Sequence, residues 1–284
     1  MSDKIVCPQC KNVFDKSDPQ KWVCGNCGFT VPLVGGKPVF SGHPDDQIPQ
    51  EKIERGAEKG TAWRQFNWQF ITAVASSLPE GADVLDVGAG RGDFKAIFSR
   101  QAYLGLDIYP YTETDLSVDL IEVCPFKPAS FDLIVLANVL EHVYEYRKLV
   151  SVCAALLKPG GKLLVTVPFL LKLHQEPVDF HRYTHYTLEN IAAENGLEIE
   201  TLDGYYNPIA LLNEGIGNAW QYGIPQTGAI NRLVAKLWIY ICQKSSDRLA
   251  KIIGNGMIRN ALQEANPNIL GYQLLMRRPG ENLV

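Results

Sequence analysis

The 284-residue chain has no apolar run approaching the roughly 20 residues that a bilayer-spanning helix requires. Nor does it open on the apolar stretch of a cleavable signal: Met1-Ser2-Asp3-Lys4 leads at once into cysteines, so a cytoplasmic location is expected, with attachment at a membrane surface left open. A basic surplus is missing too. The net charge of -4 disfavours the broad positive footprint of a nucleic-acid binder. No internal repeat is evident. What is present is an ordinary globular composition, in a chain long enough for a core domain with additions.

Four of the seven cysteines fall in two tight pairs, Cys7-Pro8-Gln9-Cys10 and Cys24-Gly25-Asn26-Cys27. Two such turns can bring four thiolates around one tetrahedral zinc ion, so residues 1–40 read as a zinc ribbon with Cys7, Cys10, Cys24 and Cys27 as ligands. Two disulfides are the alternative, disfavoured by a reducing compartment. So small a unit cannot bury enough apolar surface alone, and the metal is expected to supply much of its folding free energy. Cys124, Cys153 and Cys242 sit among apolar neighbours and read as core residues. Residues 41–60, rich in proline, glycine and charge, read as a linker, with the main domain from 61 to 284.

The most informative stretch is Val84-Leu85-Asp86-Val87-Gly88-Ala89-Gly90-Arg91-Gly92-Asp93-Phe94. An apolar run for a buried strand ends in three close glycines that let backbone approach a ligand, and residues 94–98 read as the first turns of a helix packed on that strand. The spacing Gly88-x-Gly90-x-Gly92 lacks the two residues that a dinucleotide fingerprint keeps between its second and third glycines. Asp86 and Asp93 would repel a pyrophosphate, yet they suit a ligand with an ammonium group. S-adenosylmethionine carries one, together with a sulfonium.

Twenty residues on, Ala102-Tyr103-Leu104-Gly105-Leu106-Asp107 reads as a second strand whose terminal acid takes the ribose hydroxyls, with Ile108 beside it. Ser117-Val118-Asp119-Leu120 fits a third strand tip. There Asp119 could accept from an adenine amino group while Leu120 packs on the ring; capping of a following helix is the other reading for either acid. A fourth strand, residues 131–136, runs into Ala137-Asn138-Val139-Leu140-Glu141-His142.

Through Asp86 to Gly92, Asp107, the segment 131–142 and Leu157-Lys158-Pro159-Gly160-Gly161-Lys162-Leu163, the chain resembles the class I S-adenosylmethionine-dependent methyltransferases. The resemblance implies an α/β, Rossmann-like sheet of seven mostly parallel strands in the order 3-2-1-4-5-7-6, the last antiparallel. It also implies a cofactor site from Asp86, Gly88, Ala89, Gly90, Gly92, Asp107, Ile108, Asp119, Leu120 and Asn138. Helices are expected at 63–78, 142–157 and 188–195, with strands at 162–167, 197–202 and 269–277. Between the last two strands, residues 205–268 form a long, apolar insertion. It reads as a helical cap that builds an acceptor pocket, with membrane-surface contact and dimerisation as alternatives.

Methyl transfer needs mainly alignment of an acceptor with the methyl carbon; a hydroxyl acceptor also needs a base. His142 follows the fourth strand, and His174, Asp179 and His181 follow the fifth, so these four are the candidate catalytic residues. Two other readings stand beside that one: in the first Asp179 pairs with Arg182 to pin the loop, with Tyr183 packing and Thr184 capping the next helix, and in the second His142 only begins a helix. The stretch Asp179-x-His181-Arg182-Tyr183-Thr184 resembles a broad subgroup of these methyltransferases that includes enzymes of surface-glycan metabolism. The expected activity is methyl transfer to a small-molecule, glycan or lipid-linked acceptor, oxygen being the favoured target. An RNA methyltransferase using the ribbon for RNA contact and a non-catalytic cofactor-binding protein are the rivals.

Overall fold

The computed structural model describes residues 4–41, 62–205, 269–280 and, between the last two, residue 228 and ten residues within 233–245, mostly in helical turns. The expected linker at 41–60 and most of the insertion at 205–268 therefore lie outside the described residues. Among the described residues, no helix is long and apolar enough to cross a membrane.

The N-terminal part is an antiparallel meander of β1 (Phe14–Asp15), β2 (Lys21–Cys24), β3 (Thr30–Val34) and β4 (Lys37–Pro38). Gly35 and Gly36, both at positive φ, form the two-residue turn between β3 and β4, a conformation glycine adopts without a Cβ penalty. Phe14, Trp22 and Phe40 pack ring against ring behind these strands.

The larger sheet holds β5 (Asp83–Val87), β6 (Ala102–Asp107), β7 (Leu116–Ser117), β8 (Phe131–Ala137), β9 (Leu157–Pro168), β10 (Glu198–Tyr205) and β11 (Gly271–Arg277). Their order is β7-β6-β5-β8-β9-β11-β10, and only β11 runs antiparallel to its neighbours. Counted within the sheet, this is the expected 3-2-1-4-5-7-6. Its inner strands are buried on both faces, and the period of two divides them cleanly. Val84, Leu133, Val135 and Leu164 pack with Ile71, Val74 and Ala75 of α1 (Ala62–Ser77). Leu85, Ile134, Leu136 and Val165 face the opposite core, with Val150 and Cys153 of α2 (Tyr146–Leu156) and Ile191 of α3 (His185–Glu194).

That second core also takes in Ile5, Cys7, Phe14 and Val31 of the N-terminal meander. The two sheets are joined by backbone: Val6 N–H donates to Pro125 O at 2.8 Å, and Phe40 N–H donates to Ser117 O at 2.9 Å. Val39 bridges Ser117 in parallel, so the meander covers the β7 edge that the larger sheet would otherwise leave open.

Three expectations need correction. The helix after the glycine turn is a single 3-10 turn, Lys95–Phe98, because β6 starts at Ala102 and leaves too little chain for more once Phe98 is anchored in the core. The helix expected from His142 begins at Tyr146: Leu140–His142 form a 3-10 turn of their own, and Val143 is extended. Residues 158–161 do not form a separate turn but bulge within β9, where Leu157 and Lys162 pair with Phe131 and Leu133.

Candidate functional site

The carboxyl ends of β5, β6, β7 and β8 meet at one edge, and the glycine turn lies across it. Gly88, at φ +74°, and Ala89 both donate their N–H to Leu106 O at 2.9 Å, fastening the turn to β6. A Cβ on Gly88 would lie 2.6 Å from a methyl of Val139, whereas one on Gly90 would meet open space. Backbone thus lines the opening where a ligand needs close approach. Gly92 is also at positive φ, with Glu113 close behind it.

Asp107, at the end of β6, accepts from Gly90 N–H at 3.0 Å through one oxygen and from Tyr109 N–H at 3.1 Å through the other. The acid expected to take the ribose is thus the fastener of the turn. Burial holds its carboxyl above the ordinary range, against the pull of the Tyr109, Gly90 and Ile108 N–H groups. Ile108 is the apolar side chain left exposed at the lip, while Leu120 is buried with the core. Asp119 accepts from Ile121 N–H at 2.8 Å, and its own N–H donates to Ser41 Oγ at 2.9 Å. The ribbon therefore holds the segment read as the adenine side. Asn138, at φ +55°, accepts from Trp63 Nε1 at 3.0 Å, so α1 is tied across the edge.

Asp86 lies beneath the turn, 2% exposed, and accepts from the Tyr103 hydroxyl at 2.7 Å. Burial pushes its carboxyl up to about 7; the Tyr103 bond opposes that, and the charges of Asp107 and Asp93 reinforce it. Asp93 in turn meets Arg64 of α1 at 2.9 Å, a partner that sequence reading missed because the two are 29 positions apart. Since the folded state keeps a proton on Asp86 that the unfolded chain loses near pH 4, this group's stabilisation is complete below that pH and lost as pH rises through about 7. Asp86→Asn should remove that loss. The difference in melting temperature between D86N and the parent should grow from pH 5 to pH 8, and parallel curves would contradict the assignment.

On the neighbouring side, the structure brings together His142, His174 and a residue the sequence reading passed over, Glu141. One donor atom from each lies within 4.8 Å of the others. The 3-10 turn rotates Glu141 inward to complete burial, and burial pushes its carboxyl up to about 8. The only sequence signal was an acid in the apolar exit of β8.

Asp179 and His181 take other places. Arg182 grips Asp179 at 2.5 and 2.8 Å, and His174 N–H donates to the same carboxylate at 2.9 Å. The Arg182 bond holds the Asp179 carboxyl down at about 2, too weak a base to take a proton at neutral pH, so Asp179 pins the loop. His181 turns its ring among Tyr144, Tyr146, Phe180 and Tyr183, apart from the Glu141 group. Thr184 caps α3 through Thr187 N–H, and the buried Tyr183 hydroxyl donates to Leu140 O at 2.8 Å.

The four ribbon cysteines converge, with Cys7 and Cys27 sulfurs 3.5 Å apart and Cys10 and Cys24 sulfurs 3.3 Å apart. None is in a disulfide. All four sulfurs lie within 4.8 Å of one another, a set that fits a tetrahedral ion with bonds of about 2.3 Å. The Asn26 side chain and the Asn12 backbone lower Cys10 to about 6. Cys27 is raised to about 12 by burial and the other sulfurs, although Phe29 N–H favours its thiolate. Four converging cysteine sulfurs form a ligand set that a cation would hold as thiolates.

A family model described as a methyltransferase domain matches residues 61–202. Among curated relatives, a ubiquinone biosynthesis O-methyltransferase of Xanthomonas euvesicatoria pv. vesicatoria is 33% identical over 122 residues, 35% of this chain and 46% of that protein. A probable S-adenosylmethionine-dependent methyltransferase of Mycolicibacterium smegmatis is 33% identical over 145 residues, 45% and 56% of the two chains. The chain spans about half the length of the curated relatives it matches. The [4+2]-cyclase SpnF aligns with a TM-score of 0.49 at 18% identity, over 80% of this chain and 86% of that one. With half its residues matched by the family model, glycine turn included, the chain belongs to the class I S-adenosylmethionine-dependent methyltransferase family.

Proposed function

We propose that the protein transfers a methyl group from S-adenosylmethionine to an oxygen of a small-molecule, glycan or lipid-linked acceptor. The observation that carries this reading is the open glycine turn with carboxyls beneath and beside it: its backbone admits a ligand at Gly90, and the adjoining Asp86 and Asp107 suit a cationic nucleoside better than a diphosphate. The chain's own residues would divide the work. Asp107 takes the ribose, Asp119 the adenine edge, and the turn backbone with Ala89 and Asn138 the amino-acid end. When bound, the cofactor supplies a methyl group on an excellent sulfonium leaving group. What is left for the protein is to align the acceptor, exclude water and receive a proton. His142 and His174 are the groups placed to receive it.

Oxygen as target is supported by the likeness to the Xanthomonas ubiquinone biosynthesis O-methyltransferase. Val178, whose carbonyl meets His142, and Leu173, next to His174, stand exposed, as do Tyr144 and Phe180 beside His181, apolar surface suited to a small or lipid-linked acceptor and ill suited to an RNA backbone. The ribbon cysteines are proposed to hold one structural zinc ion. Incubation with methyl-labelled cofactor and fractionated cell extract tests the acceptor: label should enter the lipid or small polar fraction and vary little with salt. Label confined to RNA and falling steeply as salt rises would overturn it.

A further inference from the structure

The Glu141 group has a feature that proton transfer alone does not account for. Glu141 is completely buried, and among the described residues neither carboxylate oxygen has a hydrogen-bond partner. Leaving such a group unsatisfied is costly, so an occupant is expected where it points. His142 Nδ1 lies 2.7 Å from Val178 O, and a carbonyl can only accept, so Nδ1 carries the hydrogen and Nε2 presents a lone pair. That Nε2 is also buried without a partner and sits 3.8 Å from a Glu141 oxygen. Once Glu141 ionises, two acceptors face each other, a pair that a shared cation satisfies.

His174 completes the set in the same manner. Its Nδ1 lies 3.2 Å from both Lys172 O and a carboxylate oxygen of Asp179, which fixes the hydrogen there and leaves Nε2 as the donor to a cation. Its ring stands edge-on to that of His142 with centroids 4.7 Å apart. A metal-bound imidazole characteristically donates its other N–H to a carbonyl or carboxylate, and both rings already do so. Arg182 and Asp179 neutralise each other, so Glu141 is the acid left to supply negative charge, giving up its proton when a cation binds.

We propose that Glu141, His142 and His174 form a site for one divalent first-row transition-metal cation, distinct from the four-cysteine centre. Two imidazoles and a carboxylate suit zinc, cobalt, manganese or ferrous iron rather than calcium, and three protein ligands leave coordination positions open. Under the function proposed above, an acceptor hydroxyl at an open position would lose its proton more readily, to solvent, and with the cation bound His142 and His174 would serve as its ligands and not as the proton acceptors. The site itself rests on none of that reading, and its occupancy is measured with no methyl donor present.

The test uses the full chain carrying one equivalent of zinc, which the thiolates take first, titrated with cobalt(II) and followed by visible absorption and calorimetry. One further cobalt per chain should bind, with weak ligand-field bands and no thiolate charge-transfer band. His174→Ala and Glu141→Gln should each weaken binding by about tenfold or more. His174 lies in a loop, so H174A keeps the test sound if E141Q fails to fold; adenosylhomocysteine binding and thermal unfolding report the fold of both. No further cobalt bound at millimolar concentration, thiolate bands accompanying the added equivalent, or unchanged affinity in folded H174A would each overturn the site.

Discussion

With zinc held by the four cysteines as proposed, replacing Cys24 with serine is expected to cost the chain that ion, unfold residues 4–41 and weaken cofactor binding at a site elsewhere in the fold. Structural zinc contributes on the order of 10 kcal/mol to units of this kind. The strands here are two to five residues long and cannot hold together by their own apolar burial. The effect should spread because the meander is not a free appendage. Its apolar residues share the α2 and α3 side of the core, Val39 and Phe40 extend the β7 edge, and Ser41 Oγ accepts from Asp119 N–H. Losing it would expose a bare strand edge, so aggregation on mild heating is also expected. Metal analysis, thermal unfolding and adenosylhomocysteine titration of C24S measure the three effects; native stability and full cofactor affinity without zinc would contradict the account.

The second large effect is expected from Asp107→Ala, which should weaken cofactor binding by about 1–3 kcal/mol, the value of hydrogen bonds to a charged group. That is about 5- to 150-fold in affinity. Part of the loss is direct, through the ribose hydroxyls. The rest comes through the turn, because the same carboxylate holds Gly90 N–H and Tyr109 N–H, and without it the backbone that lines the opening is released. Asp119→Ala should cost less, since that side chain's recorded bond is local, to Ile121 N–H. Calorimetric titration of each variant with adenosylhomocysteine distinguishes them; unchanged affinity in D107A would mean the ribose lies elsewhere.

Much of this arrangement was legible in the sequence. The apolar strands alternate between two cores, the glycine turn marks the ligand edge, and strand order follows once the family pattern is seen. Local chemistry also offered Thr184 as a cap and Arg182 as the partner of Asp179, beside the reading of that stretch as pocket lining, and the structure has both contacts. What could not be read depends on where the backbone turns. The shortening of the helix after Gly92 is set by how soon β6 begins. The inward rotation of Glu141 depends on a 3-10 turn whose carbonyl also accepts from Phe180 and His181 N–H. His181 looked equivalent to His174 along the chain, yet the loop pinned by Asp179 sends the two rings to different surroundings. The reach of Arg64 to Asp93 and of Ser41 to Asp119 is a matter of tertiary packing alone.

The central claim is that a cationic thioether nucleoside belongs at the acid-lined glycine turn. Competition calorimetry on the zinc-loaded chain tests it most directly: adenosylhomocysteine should bind and be displaced by S-adenosylmethionine, while NADH should release no heat. Saturable NADH binding, together with no response to adenosylhomocysteine, would contradict it.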